Sequence, residues 1–60
     1  MFKVYGFENT RAQLCAAEAT LSDRATADAV AYLYAERGLV ARVCCGETNE
    51  RLIVIEPLNA

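Results

Sequence analysis

Histidine and tryptophan are absent from this 60-residue chain, proline occurs once and glycine three times. The lack of histidine removes the commonest general base and the usual nitrogen ligand for a metal. The glycines stand apart at positions 6, 38 and 46, so no glycine-rich phosphate loop can be assembled. A basic excess is missing too: eight carboxylates outnumber six cations, giving a formal charge of −2 and no general attraction to nucleic acid or to an anionic membrane. No long apolar run follows a basic start and none approaches membrane-spanning length, so neither a leader nor a membrane contact is expected. These absences place the chain in the cytoplasm as a non-catalytic protein with no cofactor.

Three cysteines are present, an odd number with no CxxC spacing. Cys44 and Cys45 are neighbours, which in a strand point to opposite faces, so a disulfide between them would distort the peptide. Zinc would need a fourth ligand that the chain does not supply. Reduced thiols acting as small apolar groups are the expectation. The carboxylates are scattered among polar neighbours, and no acid/base pair stands out.

Sixty residues allow one small domain, near the limit at which only about 60% of the unfolded surface can be buried. Eleven of the apolar residues are alanine, so the larger groups carry the core. Residues 2–8 alternate as a strand, with Phe2 and Val4 on one side, Lys3, Tyr5 and Phe7 on the other, and Gly6 weakening the middle. Residues 11–21 carry two readings. RAQLCAAEA has high helix propensity, whereas a turn at Asn9-Thr10 would send Gln13 to Thr20 back along the first strand; the strand is preferred because the next helix has its own start.

That start is Ser22-Asp23, with Ser22 expected to accept from the free amides of the first turn and Asp23 to complement the helix dipole. The end is Glu36-Arg37-Gly38, with glycine where the chain must turn left-handed. Thr26, Ala29, Val30, Leu33 and Arg37 form the expected buried stripe. Arg24, Asp28, Tyr32 and Glu36 form the outer face, with Arg24 and Asp28 placed to pair.

Residues 39–45 and 50–56 read as two strands joined by Gly46-Glu47-Thr48-Asn49, with Pro57 ending the second. If Cys45 faces Glu50, regular pairing sets Val43 opposite Leu52 and Ala41 opposite Val54 on one side, Arg42 opposite Ile53 and Val40 opposite Ile55 on the other. The fold class is therefore α+β, ββαββ or alternatively βααββ, one antiparallel sheet with a helix on one face.

The second face then gathers Lys3, Tyr5, Phe7, Val40, Arg42, Cys44, Arg51, Ile53 and Ile55, a set too apolar to leave wet. It is expected to pack against a copy in a homodimer and to bind another protein, with Tyr5, Phe7, Val40, Arg42, Arg51, Ile53 and Ile55 as contacts and Tyr32 as an exposed anchor on the helix. A small accessory or inhibitor protein of a phage or mobile element suits such a chain. The alternative is a single-stranded nucleic-acid site in which Tyr5 and Phe7 stack on bases beside Arg42 and Arg51.

Overall fold

A computed structural model describes residues 1–58. The elements are β1 (Phe2–Phe7), β2 (Ala17–Leu21), α1 (Arg24–Glu36), β3 (Val40–Cys45) and β4 (Arg51–Ile55), the ββαββ order. One four-stranded antiparallel sheet has the order β2-β1-β3-β4. Because β2 and β3 both run antiparallel to the central β1, they are parallel to each other, and α1 provides the crossover between them.

The strand after the first turn is shorter than expected. Asn9 closes that turn, its Oδ1 accepting from Arg11 N at 2.9 Å and its carbonyl from Ala12 N at 3.3 Å. The ladder is resumed only by Ala16 N donating to the Gly6 carbonyl at 2.7 Å, so residues 13–16 lie outside β2 in an irregular connection. Gly6 does not interrupt β1. It makes room for the helix, since a Cβ there would lie 3.1 Å from the Tyr34 ring and 2.9 Å from a Leu39 methyl.

Asp23, not Ser22, caps α1: its carboxylate accepts from Thr26 N at 3.0 Å and from the Thr26 hydroxyl at 3.1 Å. The helix ends as expected at Gly38, φ +87°, where Leu39 N donates to Tyr34 O and Gly38 N to Ala35 O, both at 3.1 Å. Leu58 N also donates to Ala35 O, at 3.1 Å, so Leu58 seals the same helix end. Arg24 and Asp28 form the anticipated pair at 3.0 Å, half exposed and worth a few tenths of a kcal/mol by the usual measure of such pairs.

The buried stripe of α1 differs from expectation. Ala27, Ala31 and Ala35 face the sheet, with Val30 and Tyr34 packed at the flanks, while Ala29 is exposed and Leu33 is 52% exposed. Small residues bring the helix axis close to Val4, Ala41 and Val43, which are fully buried with Ala27 and Ala31. A leucine on that line would hold helix and sheet apart. Ala31→Leu should therefore lower stability by about 1–3 kcal/mol through overpacking, whereas Leu33→Ala should stay within about 0.5 kcal/mol. Urea unfolding midpoints check this, and the reverse ranking would mean that the helix presents the other stripe.

Candidate binding groove

The strand registers decide which side chains share the face away from α1. Across β1, Tyr5 sits between Glu18 of β2 and Arg42 of β3, Lys3 between Thr20 and Cys44, and Phe7 beside Val40. In the β3–β4 hairpin the pairing begins as expected: Cys45 N donates to Glu50 O at 2.8 Å and Cys44 stands opposite Arg51. The register then slips between Val43 and Cys44, leaving Leu52 as an extra residue, and beyond it Val43 faces Ile53, Arg42 faces Val54 and Ala41 faces Ile55.

A single inserted residue reverses the parity of all that follows. Ile53 and Ile55 consequently pack with Leu52 on the helix-side core, and Val54, 45% exposed, takes their expected place on the open face. Both isoleucines are thus removed from the contact surface read from the sequence.

On that face the connection of residues 8–16 and the hairpin turn frame a groove of about 410 Å³, within the size range of ligand sites. Its walls are Tyr5, Phe7, Arg42, Cys44 and Arg51 from the sheet, Gln13, Leu14 and Cys15 from the connection, and Asn49 from the turn. Among the described residues the lining has two guanidiniums and no carboxylate, in a chain where carboxylates are in excess.

Phe7 is not a free platform. Phe7 is only 8% exposed, and the Arg42 guanidinium carbon lies 4.5 Å from its ring centroid, a cation–π stack. The Tyr5 ring is 6.3 Å from that of Phe7, tilted by 40°. Stacked in this way, Arg42 has its Nε out of solvent and without a hydrogen-bond partner among the described residues. A buried unsatisfied donor is costly, and nothing among the described residues offsets it here.

Of the site residues expected from sequence, Tyr5, Phe7, Arg42 and Arg51 therefore meet in one groove. Val40 is on the same face but buried beside Phe7, and Tyr32, 52% exposed, stands apart on the outer side of α1. Gln13, Leu14, Cys15 and Asn49 line the groove too, although the sequence pattern does not mark them as contacts. Leu14 and Cys15, adjacent apolar residues without alternation into β2, were the available sign of a segment lying over the sheet.

The three thiols are free. Among the described residues, no cluster of Cys, Asp and Glu could hold a metal ion, and no helix is long and apolar enough to cross a membrane. Comparison of the chain with protein families, curated proteins and solved structures found no match.

Cys45 lies outside the groove, at the start of the hairpin turn. Asn49, at φ +61°, closes the turn by donating to Cys45 O at 2.7 Å, and the Thr48 hydroxyl accepts from Glu50 N at 3.3 Å. A bond from the Thr48 side chain, aided by the backbone amides of Thr48 and Glu47, holds the Cys45 thiol below its usual range; burial and the Glu47 carboxylate oppose this. A lowered pKa leaves more thiolate at neutral pH. In a Cys15→Ser, Cys44→Ala background, alkylation of Cys45 by iodoacetamide should show its midpoint at lower pH than in the urea-unfolded chain. Thr48→Val should move that midpoint upward, and identical profiles in folded and unfolded protein would contradict the assignment.

Proposed function

We propose that this protein is a non-catalytic interaction module that docks an acidic segment of another protein chain on its open sheet face. The observation that carries the reading is the pairing of Arg42 and Arg51 with Tyr5 and Phe7 in one groove whose lining, among the described residues, lacks any carboxylate. In a chain of net charge −2, such a local reversal selects partners by charge complementarity. The aromatic rings add apolar area beside the cations, which suits a segment that mixes carboxylates with aliphatic side chains. Such a module acts by occupying its partner, as a small inhibitor or adaptor does.

Two other readings lose support from the geometry. Base stacking needs an open ring face, and Phe7 is buried beneath Arg42. Self-association through the open face loses its two isoleucines to the helix side, which removes the largest apolar groups that a shared surface would have buried.

Amide NMR titration with an acetylated, amidated heptapeptide of alternating glutamate and valine tests the proposal. Shifts are expected at Tyr5, Leu14, Arg42, Cys44 and Arg51, and Arg51→Glu should weaken binding by at least about fivefold, an effect of roughly 1 kcal/mol. Absence of binding would overturn the docking reading. Tighter binding of an oligothymidylate would replace it with the nucleic-acid reading, and light scattering that shows a dimer closing the groove would replace it with self-association.

A further inference from the structure

We infer that Arg42 is the anchor of this groove, taking a side-chain carboxylate of the docked segment through its Nε and a terminal nitrogen, with residues 13–15 as a strap that closes over the docked segment. The inference rests on the docking reading and assigns its chemistry to one group. Arg42 is set apart from the other cations in two ways. Its guanidinium carbon lies over the Phe7 ring, 4.5 Å from the centroid, and its Nε is sealed from solvent without an acceptor among the described residues. A guanidinium held in place presents its donors in the fork that matches a carboxylate, and the ion-ion contact would satisfy the donor that the unbound protein leaves unpaired.

The strap is suited to that movement. Among the described residues no hydrogen bond holds Gln13, Leu14 or Cys15; the bonds of this connection come from Arg11, Ala12 and Ala16 on either side. Leu14 is 87% exposed although it lines the groove, so its side chain gains little from the unbound state and can close over an aliphatic neighbour of the bound carboxylate. A side-chain carboxylate is favoured over a chain terminus because two guanidiniums, Arg42 and Arg51, line the same open-sided groove. One terminal carboxylate would leave one of them unmatched, whereas successive acidic side chains supply both.

Three peptides of the same length separate the possibilities: alternating glutamate and valine with both ends blocked, alternating glutamine and valine with both ends blocked, and the glutamine peptide with a free carboxyl terminus. The first should shift the Arg42 Nε–H resonance downfield and slow its exchange; the blocked glutamine peptide should not. Arg42→Lys keeps the charge but loses the fork and the ring stack, and should weaken the first peptide roughly tenfold or more. Leu14→Ser should weaken it less and leave the Arg42 signal shift intact. If the glutamate peptide binds with an unmoved Nε–H signal, or binds Arg42→Lys as well as the parent, the anchor is elsewhere and only the docking reading survives. A response to the free carboxyl terminus equal to that of the glutamate peptide would overturn side-chain capture, and failure of every peptide would overturn docking itself. Helical circular dichroism of each variant confirms that the fold is retained.

Discussion

One extra residue in the last strand, Leu52, determines what each face of this sheet is made of. Strand side chains alternate, so an inserted residue exchanges the two faces for everything beyond it. Before the slip, Cys44 and Arg51 are opposed as regular pairing requires; after it, Ile53 and Ile55 belong to the helix and Val54 to the open side. Regular pairing would have spread isoleucine over the open face and left the helix with Val54. The bulge instead collects Leu52, Ile53 and Ile55 against the core and leaves the sheet wall of the groove to two cations, two aromatics and the Cys44 thiol.

The helix side works by close approach. Ala27, Ala31 and Ala35 give α1 a smooth line, Val4 and Val43 rise from the sheet to meet it, and Gly6 leaves space for the Tyr34 ring. Burial per residue is modest, so many small contacts share the stabilisation and no single large side chain dominates. Such a core is filled on one face only. On the opposite face the chain's own residues 13–15, exposed and without hydrogen bonds among the described residues, form one wall of the groove.

Where local chemistry sets the structure, the sequence was readable. Gly38 ending the helix, the Gly46–Asn49 turn with Cys45 facing Glu50, and the Arg24–Asp28 pair each depend on residues within a few positions of one another. The choice of Asp23 over Ser22 as cap differs by one position, because both residue types accept first-turn amides. The misread features depend on distant partners. Periodicity selects the largest residues for the buried stripe and so favours Val30 with Leu33, but the space between helix and sheet is fixed by what the strands contribute, and there alanine fits. A bulge likewise has no signature in a run of uniformly apolar residues, since RLIVI satisfies either parity. Four of the groove residues, Tyr5, Phe7, Arg42 and Arg51, were readable because β1 and β3 alternate regularly and Arg51 precedes the slip in β4; the strap was not, because its alanine-rich composition, with high helix propensity, does not mark where β2 begins.

The slip at Leu52 is tested most directly by methyl nuclear Overhauser contacts of the two isoleucines. The account predicts cross-peaks from Ile53 and Ile55 methyls to the helix-side cluster of Val4, Val43, Ala27 and Ala31, with none to the rings of Tyr5 or Phe7. Cross-peaks from either isoleucine to those rings, with Val54 contacting the helix instead, would show an unbroken register and contradict the composition assigned to both faces.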